Sequence, residues 1–452
     1  MPRQPASTPV SAPNSAPASA PASTGHRTHP AGSGHASLRR ANLSLVLRHL
    51  RDEGPCSRSD VADATGLHRA TVSSLMAELI QRGLVREVGT ARAGAIGRPR
   101  RAVALDGSHV GALGMEINVD YIAVHGVDLA GRVLVERRIA FDAMGEGPDR
   151  SLVELGRVAR RAIAEMRRAG AAPGGIVVAV PGLVDIGPGV VTLAPNLGWD
   201  GLPLAERLRA ELGGFRAPVG VDNDANLAAL AEFTSGVAAG TPDMVYLTGE
   251  VGVGGGIIVG GRLLRGADGF SGEVGHLPVN PTGRRCGCGR TGCWETKVGL
   301  AALVRTATPH RAYESQVKHR VRPGAVPAPD PEERVKEISR ALAAGEPRTL
   351  AAVAEVGRWL GLGGSILVNL FNPRVIVVGG YFARLAERLI PPAQAELERL
   401  VVAGPAARCR FLPSNLGFGA ASRGAASMVA DHIMDDPAAI GLAPAARTSN
   451  GN

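Results

Sequence analysis

The hydrophobic positions of residues 38–106 recur first with helical spacing and then with strand spacing. The stretch RRANLSLVLRHLRDEG predicts a first helix with an apolar face made of Leu43, Val46, Leu47 and Leu50. Ser57, with Asp60 three residues later, resembles a capping box and predicts a short second helix that stops at Gly66. A third helix follows, with an apolar face made of Val72, Leu75, Met76, Leu79 and Ile80. Two short strands, 84–88 and 101–105, complete a predicted winged helix-turn-helix.

The third helix is the candidate for reading DNA. In a winged helix-turn-helix, this helix enters the major groove with its first turn facing the base edges. Its polar side carries Arg69, Thr71, Ser73 and Ser74. Arg69 could read guanine or hold a phosphate, and the hydroxyl groups suit phosphate contacts. A generic three-helix bundle is the alternative, which the compact pattern TGLHRATVSSLMAELIQRGLV disfavours.

The motif GRPRR at residues 97–101 ends the predicted wing. Its Arg98 and Arg100 flank a proline, so the segment should be an extended cationic strip. Such strips can lie in the narrow minor groove of A·T-rich DNA. A plain basic linker would have the same composition, and the residues alone leave both interpretations open.

From Val110 onward, buried strands such as GIVVAVPG alternate with helices such as ANLAALAEFTSG, in two similar halves. This alternation predicts an α/β domain over residues 107–433, with two lobes and a cleft between them. Within it, a Pro- and charge-rich stretch predicts a flexible insertion at about 306–335. Residues 1–37, rich in Ala, Pro, Ser, Thr and Gly, and residues 434–452 are predicted to be disordered tails.

Composition narrows the class of protein only slightly. The chain has 452 residues and a net charge of +9, which invites a nucleic-acid interpretation but is weak evidence for one. Five cysteines do not form a disulfide framework in a chain of this length, so a reducing compartment is expected. The sequence has neither a signal-peptide core nor eighteen uninterrupted apolar residues. A cytoplasmic protein without a membrane partner is therefore expected.

Three of the five cysteines lie within eight residues of the stretch CGCGRTGCWET. Together with His276, the thiols of Cys286, Cys288 and Cys293 make a Cys₃His set, which is a normal closed shell for structural zinc. A disulfide is the alternative, but Cys-x-Cys pairing is strained and a reducing compartment disfavours it. A catalytic thiol would need a base, and no second histidine is near in the sequence. These residues therefore favour a structural Zn²⁺ site.

Asn223 and Asp224 lie where a predicted strand ends and a helix begins, in VGVDNDANLAALAE. In α/β folds, ligand-binding side chains are exposed at such strand ends. An aspartate there can accept a hydrogen bond from a sugar hydroxyl, or act as a general base in phosphoryl transfer. The dipeptide alone is weak evidence, because Asn and Asp are also common in turns.

The chain resembles the ROK family (repressors, open reading frames and kinases), in particular its transcriptional regulators, which include xylose and N-acetylglucosamine repressors. The resemblance covers about residues 38–432. It rests on VPGLVD, APNLGW, VDNDANLAALAE, GVGGGI, GEVGH, CGCGRTGCWET and NPRVIVVGG, which occur in the family's order. The resemblance implies a winged helix-turn-helix followed by a two-lobed, actin-like sugar-kinase fold.

The resemblance also implies a site for a hexose in the cleft. Matched by motif, the sugar contacts would be Asn196, Asn223, Asp224, Glu273, His276 and Glu295. Asp224 matches the base of the family's kinases. The family's zinc motif falls on His276, Cys286, Cys288 and Cys293. His276 would then bind zinc through one ring nitrogen and the sugar through the other.

The chain departs from the family's kinases at both phosphate loops. Their D-I-G-G-T is replaced by Glu116-Ile117-Asn118-Val119-Asp120, and their L-G-T-G by a run that includes Gly249-Glu250-Val251-Gly252. These changes add bulk or negative charge where ATP would place its phosphates, and a carboxylate repels a polyphosphate strongly in a partly desolvated cleft. The sequence therefore predicts that ATP is neither bound nor hydrolysed and that the protein is not an enzyme.

These observations predict a sugar-responsive DNA-binding regulator, a repressor of genes for carbohydrate uptake or catabolism. Its effector would be a sugar or a sugar phosphate. The alternative is an active ATP-dependent sugar kinase of the glucokinase type with an added DNA-binding domain. A homodimer or homotetramer on a palindromic double-stranded operator is expected, because two-fold symmetry places two recognition helices on the DNA.

Overall fold

The N-terminal part of the molecule is a winged helix. A computed structural model describes residues 31–90, 101–250, 252–307, 331–403 and 408–441. The first elements are α1 (Ala31–Glu53), β1 (Cys56–Ser57), α2 (Arg58–Thr65), α3 (Arg69–Gln81), β2 (Val85–Thr90) and β3 (Arg101–Leu105). Strand β3 pairs antiparallel with both β1 and β2. The predicted three helices and the wing strands are therefore confirmed.

Local sequence signals account for the helix limits in this domain. Ser57 Oγ accepts a hydrogen bond from the Asp60 backbone N–H at 3.3 Å, and Asp60 Oδ2 accepts one from the Ser57 N–H at 3.0 Å. This is the predicted capping box. Gly66 ends α2 at φ 71°, a left-handed conformation that glycine adopts at little cost. The predicted apolar faces form the domain core, with Ile80 half-buried at its edge.

The first lobe of the second domain is built on a five-stranded sheet. Its strands, in sheet order, are β11 (Val219–Asn223), β7 (Ala172–Val180), β4 (Val110–Ile117), β5 (Tyr121–Asp128) and β6 (Val133–Ala140). Strands β11, β7 and β4 are parallel, whereas β5 and β6 run antiparallel to their neighbours. Helices α4 (Ala143–Arg168) and α5 (Leu204–Leu212) and a small sheet of β8 (Leu183–Asp185), β9 (Val190–Ala194) and β10 (Trp199–Leu202) belong to this lobe.

The second lobe repeats the same sheet pattern. Its strands, in sheet order, are β14 (Arg262–Leu263), β13 (Val253–Val259), β12 (Met244–Gly249), β15 (Val375–Gly380) and β16 (Arg410–Pro413). Strands β12, β15 and β16 are parallel and β13 and β14 antiparallel, as in the first lobe. The predicted α/β domain of two similar halves is confirmed.

The remaining helices of the second domain are numbered in chain order. They are α6 (Asp224–Ser235), α7 (Glu295–Val298), α8 (Leu300–Ala307), α9 (Pro331–Ala343), α10 (Pro347–Phe371), α11 (Tyr381–Arg384), α12 (Ala386–Leu400) and α13 (Ala420–Asp435). By length and composition α10 could cross a membrane. Its apolar residues, however, pack in the core of the second lobe, so it is a core helix.

Three predicted boundaries need correction. Helix α1 begins at Ala31, not at residue 38, because the helix continues through a segment without an apolar pattern. Helices α8 and α9 occupy the ends of the predicted 306–335 insertion, and residues 308–330 lie outside the described residues. The C-terminal boundary at 434 is also too early, since α13 reaches Asp435 and the carbonyls of Ala438 and Ile440 accept hydrogen bonds from Arg82 at 3.0 and 2.6 Å.

Candidate functional site

The first turn of α3 presents the side chains that the sequence assigned to DNA. Arg69, Ser73 and Ser74 are exposed, and Thr71 is half-buried. Within the described structure, the N-cap residue His68 makes no side-chain hydrogen bond to the helix start. Among the described residues, no side-chain cap therefore occupies the amide groups at the start of α3, and such amide groups can bind a phosphate of DNA. Arg98 and Arg100 lie outside the described residues.

The four predicted metal ligands converge on one point. All their donor atoms lie within 4.8 Å of one another. Cys288 Sγ lies 3.6 Å from Cys293 Sγ, and Cys286 Sγ lies 3.7 Å from His276 Nδ1. A tetrahedral ion with Zn–S bonds of about 2.3 Å separates two sulfur ligands by about 3.8 Å. The cluster could therefore hold a metal ion, and its sulfur–sulfur spacing is far beyond the length of a disulfide bond.

Backbone geometry in the cysteine loop depends on glycine. Gly292 has φ 81°, and a Cβ atom there would lie 1.8 Å from the Asn280 carbonyl oxygen. The Gly292 N–H and the Asn280 N–H also make backbone hydrogen bonds that close the loop. A side chain at Gly292 would push Cys293 away from the other thiols. The glycines between the cysteines are thus part of what brings the donor atoms together.

His276 lies between the thiol cluster and a pair of carboxylates. Its Nδ1 faces Cys286, whereas its Nε2 lies 3.7 Å from Glu273 Oε2. The Cys286 thiol donates to Glu295 Oε1 at 2.6 Å. Burial raises the pKa of Glu273, an effect that His276 opposes and Glu295 reinforces. Nδ1 therefore faces Cys286 and also Glu295, whose Oε1 lies 4.0 Å away, whereas Nε2 faces Glu273. The two roles of His276 stay a prediction.

Asn196 and Glu295 approach each other beside the second of the altered loops. A Cβ atom on Gly252 would lie 3.1 Å from Glu295 Oε2 and 3.4 Å from Asn196 Nδ2. Asn196 follows β9 in the first lobe, whereas Glu295 begins α7 in the second. Polar groups from both lobes therefore converge at this point, where a bound polyhydroxy ligand could meet both.

Asn223 has a structural role in addition to its predicted role in ligand binding. Its Oδ1 accepts a hydrogen bond from the Asn226 N–H at 3.0 Å and so caps α6. Its Nδ2 donates to the Gly182 carbonyl at 3.1 Å. One amide hydrogen is left for a ligand. The side chain therefore fixes the start of α6 and keeps one amide hydrogen that a ligand could use.

Asp224 lies one residue further on, at the first position of α6. Its Oδ1 accepts a hydrogen bond from the Ala225 N–H at 2.8 Å. Burial raises its pKa to about 6, helped by the charge of Glu273, while the bond from Ala225 acts in the opposite direction. A carboxylate with such a pKa can accept hydrogen bonds from a sugar hydroxyl at neutral pH.

Residues from both of the altered phosphate loops line one small pocket. Glu116, Asp224 and Glu250 line it together with Tyr246, Thr248, Gly417, Phe418 and three alanines. The carboxylates of Glu116 and Glu250 come from different lobes. The carboxyl groups that the sequence predicted here are therefore present, one from each lobe.

A buried ion pair next to the cleft was not predicted. Arg265 donates to both oxygens of Asp222, at 3.0 and 2.7 Å, and Asp222 is 2% exposed. This bidentate pair joins the loop after β14 to the residue before Asn223. The sequence shows Asp222 as a further acidic residue directly before Asn223 and Asp224. It does not show the partner, because Arg265 lies 43 positions further along the chain.

Helix α13 connects the cleft with the winged helix. Gly424 packs so closely on α6 that a Cβ atom there would lie 1.7 Å from the Leu227 carbonyl oxygen. Near the other end of α13, Asp431 accepts hydrogen bonds from Arg48 at 3.5 Å and Arg51 at 2.9 Å, both from α1. One helix therefore contacts the element that begins with Asp224 and the domain that carries α3.

These features define a class of protein, namely a winged-helix DNA-binding module joined to a sugar-kinase-like domain. The ROK family model matches residues 112–432, and a MarR family model matches residues 44–94. The chain belongs to the ROK family, and it combines the two parts found in the family's transcriptional regulators.

The relatives of this chain include both transcriptional repressors and sugar kinases. The xylose repressor of Caldicellulosiruptor bescii is 33% identical over 352 residues, which cover 76% of this chain and 84% of the relative. The glucokinase of Streptomyces coelicolor is 33% identical over 301 residues, which cover 65% of this chain and 88% of the relative. The similarity to the repressor extends over more of this chain.

Among solved structures, a transcriptional regulator likewise covers more of this chain than a glucokinase does. A ROK family transcriptional regulator, a homolog of the E. coli MLC protein, superposes with a TM-score of 0.72 at 26% identity and covers 89% of this chain and 98% of its own. A ROK family glucokinase from Streptomyces griseus, solved with glucose and AMPPNP, gives a TM-score of 0.58 at 32% identity and covers 70% of this chain and 98% of its own.

Proposed function

We propose that the protein is a sugar-responsive DNA-binding transcriptional repressor of carbohydrate uptake or catabolism genes, acting in the cytoplasm. The observation that carries this proposal is the continuous packing from Asp224 through α6 and α13 to α1. Sugar binding and DNA binding are then two sites on one molecule, and each can change the affinity of the other.

The effector site of the proposal is the cleft between the two sheets. Its sugar contacts are Asn196, Asn223, Asp224, Glu273, His276 and Glu295. Carboxylates and amides at such a site recognise hydroxyl groups by accepting and donating hydrogen bonds in fixed directions. A sugar or sugar phosphate that bridges Asn196 and Glu295 would contact both lobes. Its binding energy would then favour one arrangement of the lobes over another.

A structural Zn²⁺ ion is the proposed occupant of the Cys₃His cluster. The donor set and its spacing fit zinc, and all four protein ligands leave no open position for catalysis. Zinc would hold His276 Nδ1 and so fix the direction of Nε2 toward the cleft. Its role would be to orient the sugar contacts next to the cluster.

The DNA site of the proposal is the first turn of α3, extended by the arginines of GRPRR. Arg69 would contact a guanine or a phosphate, and Thr71, Ser73 and Ser74 would contact phosphates. A homodimer or homotetramer would place two such helices on a palindromic operator. Arginine contacts of this kind make affinity fall with salt concentration.

The first prediction tests this function directly. A gel-shift assay with the upstream region of the protein's own gene neighbourhood is expected to show binding that a member of a sugar panel weakens at least fivefold. The physical reason is a coupling free energy of about 1–3 kcal/mol between the two sites. Arg69→Ala should lose DNA binding and keep sugar binding, whereas Arg150→Ala, an exposed arginine of the second domain, should behave as the wild type. DNA binding that no sugar or sugar phosphate changes would contradict the proposal.

An ATP-dependent sugar kinase is the second candidate. It is supported by the similarity to glucokinases and by Asp224, whose position and raised pKa suit a general base. The carboxylates of Glu116 and Glu250 oppose it, because they lie where a kinase of this family binds phosphate groups. We therefore propose that the protein has no kinase activity.

A further inference from the structure

The two lobes contact each other through the side chains that replaced the phosphate loops. Asn118 Nδ2, from the first lobe, donates to Glu250 Oε2 of the second lobe at 2.6 Å. The Tyr121 hydroxyl lies 3.4 Å from the same oxygen and donates a short hydrogen bond to Glu116 Oε1. Asn118 and Tyr121 are 3% and 2% exposed. Four side chains therefore form one hydrogen-bonded network that crosses the cleft.

The number of hydrogen atoms in this network determines whether one of its carboxyl groups must be protonated. The hydroxyl of Tyr121 has one hydrogen, which it gives to Glu116 Oε1. The Tyr121 hydroxyl oxygen accepts a hydrogen bond from Asn118 Nδ2 at 3.2 Å, and Glu250 Oε2 lies 3.4 Å from it. Because the only hydroxyl hydrogen is given to Glu116, the approach of Glu250 to Tyr121 becomes attractive only when the Glu250 carboxyl group carries a proton. Glu116 is 1% exposed, and its Oε2 has no hydrogen-bond partner among the described residues. Two ionised carboxylates in this position would be poorly compensated.

The surrounding charges favour the retention of a proton. Asp224 adds negative charge beside both Glu116 and Glu250, and Asp120 adds it beside Glu250, whereas Arg138 is the cation beside them, with its Cζ 4.0 Å from the centre of the Tyr121 ring. Tyr246, on β12, is a further titratable group of the pocket. Burial raises the pKa of Glu116 to about 7 and that of Glu250 well above its usual range. The pocket side formed by α13 supplies the apolar Ala420 and Ala421.

We infer that Glu250, Tyr121, Glu116 and Asn118 form a proton-dependent latch between the lobes, in which one proton held on the carboxyl pair takes the place of a bound nucleotide. The proton lies on Glu250, which donates to Tyr121, and Tyr121 donates to Glu116. At low pH the latch is complete. As the pH rises through the folded-state pKa values, the proton leaves, and two facing carboxylates from opposite lobes repel each other.

Thermal unfolding of the full-length, metal-loaded protein between about pH 5.5 and pH 8 tests this latch. The latch is expected to lower the wild-type midpoint as the pH rises, since the folded state holds a proton that the unfolded state releases. Glu250→Gln keeps a donor and an acceptor at all pH values, so its profile should lose this part of the decline. Glu398→Gln, an exposed residue, should remain parallel to the wild type. Parallel profiles for Glu250→Gln and the wild type would overturn the inference.

A divalent cation is the rival occupant of an acidic pocket, and the same assay distinguishes it. With millimolar Mg²⁺ or Ca²⁺ added, the latch predicts no selective change in the midpoint. A rise in the wild type that is absent in Glu250→Gln would show a cation site and overturn the proton latch.

A double-variant comparison tests the contact across the lobes. Asn118→Ala and Glu250→Ala each remove one partner of the same hydrogen bond. The double variant should therefore lose less stability than the sum of the single losses. Full additivity would mean that the two side chains do not interact and would overturn the latch. These measurements use neither DNA nor sugar, so their failure is distinct from failure of the proposed function.

Discussion

Asp224, one of the proposed sugar contacts, is expected to lower the stability of the protein. Its carboxylate is buried at the start of α6, and burial raises its pKa to about 6. The unfolded chain would release this proton near pH 4. Stability contributed by the protonated form is therefore lost as the pH rises through about 6, and the ionised form remains buried at neutral pH.

Asp224→Asn is predicted to stabilise the protein by about 1–3 kcal/mol at pH 7.5, because the amide keeps the bond from Ala225 without the buried charge. Sugar affinity should fall in the same variant. Denaturant unfolding and calorimetry with the effector sugar would measure the two effects. The neighbouring Asp222→Asn provides the contrast: it breaks the bidentate pair with Arg265 and should destabilise the protein. Destabilisation by Asp224→Asn would contradict this account.

The thiol cluster supports a prediction about metal content. Cys288→Ser should reduce bound zinc from about one ion per chain to near zero, because one of the four ligands is lost. Metal analysis after gel filtration would measure this, and sugar binding should fall in the same sample. Cys56→Ser, outside the cluster, should retain the metal. Full zinc content in Cys288→Ser would show that the ligand assignment is wrong.

Sequence reasoning reached some residues of the site and not others. His276 and the three cysteines have a local spacing and a donor chemistry that few other functions explain, and the structure brings them together. The pairing of Asp222 with Arg265 could not be predicted, because the two residues are 43 positions apart in the sequence.

At the scale of elements, α13 determines how the cleft and the winged helix are connected. It packs on α6 with Gly424 and pairs with α1 through Asp431. The pattern GAASRGAASMVADHI predicted a final helix, and its small residues explain why the approach to α6 is close. Its ion pairs with α1 span more than 380 positions of sequence, so no local pattern could indicate them.

Gly424→Ala is predicted to destabilise the second domain by about 1–3 kcal/mol or more, because the new methyl group would overlap the backbone of α6. Thermal unfolding would measure the loss. Gly419→Ala is the matched control just before the same helix, where the nearest atom would lie 3.7 Å from the new methyl group. Equal midpoints for the two variants would show that α13 can move away from α6 freely.

In the winged domain, the presence of all three helices was predicted correctly, whereas the residue at which α1 begins was not. Periodicity and caps identify α2 and α3 almost to the residue, since the signals are local. The start of α1 was missed by seven residues, because AGSGHAS has no apolar face to indicate a helix. Hydrophobic patterns report burial, and residues 34–41 of α1 are exposed.

At the scale of the whole molecule, the repeated sheets make a cleft that two kinds of protein share. The strand order and directions of the two lobes are the same, and this repeat was visible in the sequence as two similar halves. In the proposed function, the difference from a kinase would lie in a few side chains of the cleft, Glu116 and Glu250 among them. The fold alone does not decide between the two activities, because one fold can carry several functions.

Purified protein is predicted to show no sugar-dependent consumption of ATP, because Glu116 and Glu250 occupy the place of the phosphate groups. A coupled assay with glucose, xylose and N-acetylglucosamine would measure this, with a ROK glucokinase as the positive control. Thermal shifts should likewise be the same with and without Mg²⁺–ATP. Turnover that disappears in Asp224→Asn would establish the kinase alternative.

The latch across the cleft also affects what information the protein can transmit. A kinase with this fold closes on two small molecules, so its state depends on both sugar and energy supply. A cleft whose second ligand has been replaced by its own side chains depends on one metabolite. Such a regulator would report how much sugar is present, even in a starved cell that has little ATP with which to use it.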